Sequence, residues 1–211
     1  MAHWVERIKQ AVIEGKHKDI EELVNGAIKE GVDLDLLIQD GLISAMDVVG
    51  ERFSQGIIFV PEMLVSAVTM KKGLDVIKPL LKGDGRSVGR VVMATVKGDL
   101  HDIGKNLVIM MLEGAGFEVT DLGVDVDVET VVNKVEELRP HVLGLSALLT
   151  TTMPEMARVI ETLKQKGLRD KVKVMVGGAP VDRKFAEQIG ADGYGKDAAE
   201  AVELAKKFSA N

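Results

Sequence analysis

The chain has 211 residues, no cysteine, a formal charge of -6, and hydrophobic side chains at 46% of positions. That is enough apolar material for one large domain or two small ones. The acidic balance and the lack of any dense Lys/Arg block argue against nucleic acid and anionic membrane as partners, and the missing cysteines exclude disulfides, thiolate nucleophiles, iron-sulfur ligation and Cys-type zinc sites.

The N-terminal "MAHWVERIKQ" carries charges where a signal peptide needs its apolar stretch, and the longest apolar run, "LVIMML", is too short to cross a bilayer. A cytoplasmic protein is expected. From Trp4 to Leu81 apolar residues recur at helical spacing, as in Leu34, Leu37, Ile38, Leu42, Met46, Val49 and Phe53. About four helices follow, broken at "EGKHKD", "EGVDLD" and "SQGIIFVPEM", where glycines stop helices and Pro61 fits the first turn of the next. Short connections between amphipathic helices imply an antiparallel bundle. The polar, glycine-rich "KGDGRSVGR", residues 82 to 90, reads as a linker, and the domain boundary is placed between 84 and 85, giving 1–84 and 85–211.

Beyond the linker the period changes. "RVVMATV", "FEVTDLG", "HVLGLSAL" and "VKVMVGG" read as strands, with "DGYG" a short fifth, and amphipathic helical segments alternate with them to the end of the chain. Strand and helix alternating five times predict an α/β domain with a parallel sheet covered on both faces. Right-handed crossovers make it a doubly wound, Rossmann-like fold with the flavodoxin-like strand order as the expectation.

In such sheets ligands bind beyond the carboxyl ends of the strands, where the strand order reverses. The unusual residues of this sequence fall there. Asp99, His101 and Gly104 follow the first strand; Ser146, Leu148 and the run Thr150, Thr151, Thr152 follow the third; Gly177 and Gly178 follow the fourth. Asp99 can accept the Nδ1 proton of His101 and so direct Nε2 outward toward a metal. Asp99 could instead cap a helix, but Asp102 is better placed for that. Gly177-Gly178 either turns the chain or lets a large flat or nucleotide-like group approach the backbone. The helix after Gly104 lacks the glycine pattern of a dinucleotide fold or a phosphate-binding loop. A phosphoacceptor receiver shares the expected fold, but its acidic pair and its lysine are missing here.

D-x-H-x-x-G at 99–104, S-x-L at 146–148 and GG at 177–178 together resemble the cobalamin-binding signature of cobalamin-dependent methionine synthase and of the small corrinoid proteins of methyltransferase systems. Residues 51 to 81 resemble the second part of the helical cap that precedes the corrinoid domain in those proteins. The resemblance implies a cobalamin or related cobamide with its own base displaced and His101 as the lower axial ligand of cobalt. It implies an Asp99–Ser146 proton relay behind His101, with Ser146 bonded to Asp99 or to the displaced base. Asp102, Ile103, Gly104, Leu148, Gly177 and Gly178 would line the cofactor slot; Thr150 and Thr151 would lie near the lower face of the ring, and Tyr194 and Gly195 would close the slot. Phe59, Met63, Val68 and Met70 of the cap are candidates for covering the upper face, although each is also an ordinary bundle-core residue type.

The function implied is a methyl carrier, not an enzyme alone. It would take a methyl group onto cobalt from a donor-specific methyltransferase and present it to a second one acting on a carrier such as tetrahydrofolate or a thiol, with a reductive activase in support. Cobalt would cycle between Co(I) and methyl-Co(III). An isomerase subunit would share the signature but not need the cap, and a cobalamin-dependent regulator would normally carry a basic recognition helix, which is absent from the sequence. A non-corrinoid metal enzyme lacks a second imidazole near the site, since His141 opens a strand at the opposite end.

Overall fold

The structure is a computed structural model that describes residues 2–80 and 87–210. The chain divides into two compact units, one built from the segment up to Ser87 together with Glu113–Gly116, the other from Val88–Leu112 and from Phe117 onward. The boundary expected between 84 and 85 and most of the expected linker lie outside the described residues.

The N-terminal unit is helical, as the apolar spacing requires. It contains α1 (Ala2–Ile13), α2 (Ile20–Lys29), a short α3 (Leu34–Leu36), α4 (Ser44–Ser54) and α5 (Val60–Ile77). α1 packs on α2, α4 and α5, and α5 also packs on α2 and α4. Ile8, Ile20, Leu37, Leu42, Met63 and Met70 are fully buried here. A plain helix was the expectation from Leu34 onward, but Leu37–Ile43 is π-helical, with the Ser44 N–H reaching back to the Gln39 carbonyl. The wider turn puts residues five apart on one face, which is the separation of the two buried leucines Leu37 and Leu42. Gly41 lies within it, and a Cβ there would come 3.2 Å from Ile8 Cγ2 on α1. Pro61 does sit in the first turn of α5, where the Glu62 carboxylate accepts the Phe59 N–H at 3.0 Å.

The second unit alternates as the sequence predicts: β1 (Arg90–Thr95), α6 (Ile103–Gly114), β2 (Glu118–Asp121), α7 (Val128–Leu138), β3 (Val142–Ser146), α8 (Met153–Gln165), β4 (Lys173–Gly177), α9 (Arg183–Ile189), β5 (Gly193–Tyr194) and α10 (Ala198–Ser209). All four strand pairings are parallel, and the order is β2-β1-β3-β4-β5. That is the flavodoxin-like order. β1, β3 and β4 are buried along almost their whole length, as near-continuous β-branched and aliphatic runs demand when helices cover both faces. Asp127, Asp182 and Asp197 cap α7, α9 and α10 by accepting backbone N–H groups of their first turns, so these three helices start at fixed places.

The register decides where the site lies. Thr95 pairs with Ser146, and Ser146 pairs with Gly177, so the last residues of β1, β3 and β4 stand level across the sheet. Chain reversal between β2 and β3 around β1 opens the crevice there, and the loops after all three strands start from one line.

Candidate functional site

At the centre of these loops is Asp99, a carboxylate with 0% exposure. Its Oδ1 accepts the backbone N–H of His101 at 3.1 Å and faces His101 Nδ1 at 2.7 Å. Its Oδ2 accepts the N–H groups of Leu148 and Leu149 at 2.7 and 3.3 Å and the Thr152 hydroxyl at 2.8 Å. Burial pushes the carboxyl toward its neutral form, but the donors from Leu148, the His101 ring, the His101 N–H and Thr152 together outweigh it and hold the group well below the usual carboxylate range. Asp99 is therefore ionised at neutral pH and can only accept. It follows that Nδ1 of His101 carries a proton and that, in the neutral imidazole, Nε2 is the electron-donating nitrogen.

His101 is positioned from both sides. Behind it, the buried Thr95 hydroxyl donates to the His101 carbonyl at 3.0 Å. In front, its side chain is half exposed, with Leu100 (72% exposed) and Ile103 (86% exposed) as near neighbours in the chain. Leu148 and Leu149, tied to the same carboxylate through their backbones, are also exposed. Four large aliphatic side chains in the two loops joined by Asp99 are left in water, an apolar surface open to a broad apolar ligand. Among the described residues no three His, Cys, Asp or Glu side chains gather as a metal-holding set. One imidazole nitrogen within an apolar rim suits a metal that brings its own ring of ligands, so the residues present fit a cobamide.

The remaining expected site residues fall as follows. Asp102 is exposed and immediately precedes α6, with its carboxylate accepting from the Asn106 amide at 3.1 Å, as expected of a residue at the helix start. Gly104 is exposed, and a Cβ built on it meets nothing within 4 Å, so its bareness leaves room for a ligand and satisfies no internal contact. Gly178 is the opposite case: its φ is +126°, and a Cβ would lie 1.9 Å from the Ala147 carbonyl oxygen. The backbone itself therefore requires glycine at 178. A Cβ on Gly177 would come 3.0 Å from the Gly195 carbonyl oxygen, which brings the ends of β4 and β5 edge to edge. Tyr194 packs against the hydrophobic core of the unit, and Thr150 and Thr151 are exposed in the turn before α8.

Ser146 stands level with Thr95 at the end of β3, and the hydroxyl that donates to Asp99 is that of Thr152. Thr152 is buried and occupies the residue before α8, yet its hydroxyl makes no cap to the helix and is shared between Asp99 and the Leu149 carbonyl. Sequence alone does not separate Thr152 from Ser146, Thr150 and Thr151, which offer the same hydroxyl after β3; the turn that folds it back to the Leu149 carbonyl does. In the helical unit, Phe59 and Val68 are exposed, whereas Met63 and Met70 are fully buried. Those two methionines share the buried face of α5 with Ala67.

With this geometry in hand, the chain matches two domain families, both described as a B12 binding domain, over residues 89–203 and 4–78. A corrinoid protein of Desulfitobacterium hafniense is 44% identical over 208 residues, 97% of this chain and 96% of the relative. The chain belongs to the B12-binding corrinoid proteins. The trimethylamine corrinoid protein of Methanosarcina barkeri is likewise 44% identical, over 96% of this chain and 94% of its own length. Among solved structures, a chain of the methanol:cobalamin methyltransferase complex of Methanosarcina barkeri superposes with a TM-score of 0.88 at 35% identity, covering 99% of this corrinoid protein and 80% of that chain. A cobalamin-binding protein of Desulfitobacterium hafniense superposes with a TM-score of 0.82 at 36% identity, covering 97% and 98%.

Two outcomes follow for the cofactor-free corrinoid protein. Because the folded Asp99 lies below its ordinary value, its stabilising contribution is complete above that value and drains away as pH falls through the folded one. Asp99→Asn should cost about 2–4 kcal/mol at pH 7 in urea titrations, and the gap from the unsubstituted protein should narrow as the pH is taken below 3.8. Gly178→Ala should lower the unfolding free energy by a similar amount, about 2–4 kcal/mol, through the carbonyl overlap and the positive φ, with the loss independent of pH.

Proposed function

We propose that this corrinoid protein is a cytoplasmic methyl carrier. It binds a cobamide with the cofactor's own base displaced, receives a methyl group from a donor-specific methyltransferase, and offers it to a second methyltransferase acting on an acceptor such as tetrahydrofolate or a thiol. A reductive activase returns oxidised cofactor to the cycle. The observation that carries this reading is the buried, ionised Asp99 fixing the His101 tautomer with Nε2 outward, inside the rim of Leu100, Ile103, Leu148 and Leu149. Relatives named for trimethylamine and dimethylamine, and a structural relative in a methanol:cobalamin methyltransferase complex, support a place in methyl transfer.

When bound, the cofactor supplies a cobalt that takes up and gives back a methyl group as it cycles between Co(I) and methyl-Co(III). The protein's share of that work lies in a single nitrogen. His101 Nε2 would hold the cobalt from below, and it would have to both engage and let go. When disengaged, Nε2 can hold a proton, and the carboxylate of Asp99 is already in place to pair with the resulting imidazolium through Nδ1. Thr152 keeps the far side of that carboxylate occupied by a hydroxyl donor, so Asp99 has no need to turn when His101 changes its state. The relay is thus His101–Asp99–Thr152. Ser146, part-buried and level with Thr95, is left to the displaced base.

Gly104 leaves open space beside the histidine loop, and Gly177, Tyr194 and Gly195, at the paired ends of β4 and β5, would line the slot for the nucleotide tail. Exposed Ile103 and Leu148 would pack against the ring, and Asp102, Thr150 and Thr151 would lie near its lower face. Of the cap residues, Phe59 and Val68 have the exposure needed to shelter the methyl face.

Protein reconstituted with a cobamide should be coloured, and its Co(II) form should show axial nitrogen coupling in electron paramagnetic resonance. His101→Ala should lose that coupling completely; coupling that survives would place another ligand on the cobalt. Thr152→Val, which keeps the shape and removes the hydroxyl, should keep the coupling but weaken the Asp99 network by about 1–3 kcal/mol, read as a larger fraction with His101 disengaged at a given pH. Ser146→Ala should leave that fraction unchanged.

A further inference from the structure

Among the described residues only two charged side chains are buried, Asp99 and Lys105, and the relay has no use for the second. Lys105 sits in the first turn of α6 with 2% exposure. An ammonium is badly placed there, because the helix N-terminus is itself positive and burial strips the ion of water. It is held by a strong partner. Nζ lies 2.6 Å from both carboxylate oxygens of Asp121, the last residue of β2, and 3.0 Å from Asn106 Oδ1.

The bonds continue from Asp121 in a closed circuit. Its Oδ1 accepts the Gly123 N–H at 2.9 Å, and the Gly123 carbonyl accepts the Thr95 N–H at 3.0 Å. Thr95, fully buried at the end of β1, donates its hydroxyl to the His101 carbonyl at 3.0 Å. The covalent chain then runs from His101 through Asp102, Ile103 and Gly104 back to Lys105. Both ends of the 101–105 segment are therefore fastened to the adjoining ends of β1 and β2, while the three residues between are exposed.

We propose that Lys105 and Asp121 are positioning residues for His101. They act as a brace that fixes the backbone of the histidine loop while the imidazole engages and disengages. The need for one is physical. An axial ligand has to return to within about half an ångström of the same place each time. The loop carrying it includes Gly104, which lacks side-chain packing of its own. Asp99 holds the imidazole and the His101 N–H, but nothing in that network touches the far end of the segment. The Lys105–Asp121 pair supplies that second anchor. The part of this inference that concerns cobalt rests on the methyl-carrier reading; the part that concerns the loop does not.

The test has two arms. Lys105→Met keeps the chain length and removes the charge, and Asp121→Asn keeps an acceptor for Gly123 while removing the ion pair. In cofactor-free protein, the amides of His101 and Asn106, which donate to Asp99 Oδ1 and the Asp102 carbonyl, should exchange with deuterium about tenfold faster in either variant, with the Leu143 and Val174 amides unchanged. In cobamide-loaded protein, a fraction of the Co(II) signal should lose its axial nitrogen coupling although His101 is intact. Unchanged exchange at His101 and Asn106 in a folded variant overturns the brace. Should Lys105→Met fail to fold, Asp121→Asn alone decides. Faster exchange with undiminished coupling also overturns the positioning role, leaving a merely structural pair. Failure of the unsubstituted protein to take a cobamide would instead overturn the carrier reading, and the exchange arm would still judge the brace.

Discussion

Moving the Asp99 carboxylate out of water carries a penalty of several kcal/mol, and much of the α/β unit is arranged around meeting it. No single loop could do so. Two of its five donors come from His101 in the loop after β1, and three come from Leu148, Leu149 and Thr152 in the turn after β3. Those segments meet only if β1 and β3 are neighbours with Thr95 level with Ser146, which is the observed register. A slip of one residue would turn the alternating side chains of a strand to the wrong face and carry the turn away from the ion. The carboxylate thus links sheet order to imidazole tautomer: the order makes the burial tolerable, and the burial makes the tautomer unambiguous.

The fold could be read from the chain because its signals were periodic and independent of long-range detail. β-branched runs of four to six residues, helical apolar spacing and turn glycines located every strand of the sheet, and the short fifth at Gly193–Tyr194 followed from "DGYG". The π-helical turn at Leu37–Ile43 was hidden, because the apolar spacing there also fits an α-helix and the close packing of Gly41 on Ile8 is a contact between distant parts of the chain. In the site, Asp99 and His101 were readable since two residues in one loop can reach each other whatever the tertiary structure. The third member was not. Three consecutive threonines and Ser146 all offer hydroxyls after β3, and only the path of the turn, which folds Thr152 back under Leu149, selects among them.

Neutral methionine and phenylalanine side chains in α5 and just before it posed a different problem. The helix is apolar on more than one face, so composition does not say which side turns inward. Met63 and Met70, seven residues apart and two helical turns from each other, share the buried stripe with Ala67; Val68 and the preceding Phe59 do not. Spacing alone would have separated these pairs, but a residue-type argument that treats Met and Phe as equivalent cover could not.

The aliphatic rim around His101 has a bearing on how the protein behaves before it meets its cofactor. Ile103 and Leu100 stand almost fully in water, and Leu148 and Leu149 partly so, with Lys97 and Asp102 as the charged neighbours in the same loop. Such a surface is wet at a free-energy cost of roughly 25 cal/mol for each Å² of apolar area. Any broad, flat apolar partner relieves it, including another unloaded copy. The acidic net charge of -6 then has a colloidal role, since like-charged molecules repel during the interval when their sticky faces are bare. The same charge that excludes anionic partners thus opposes contact between two copies through this apolar face.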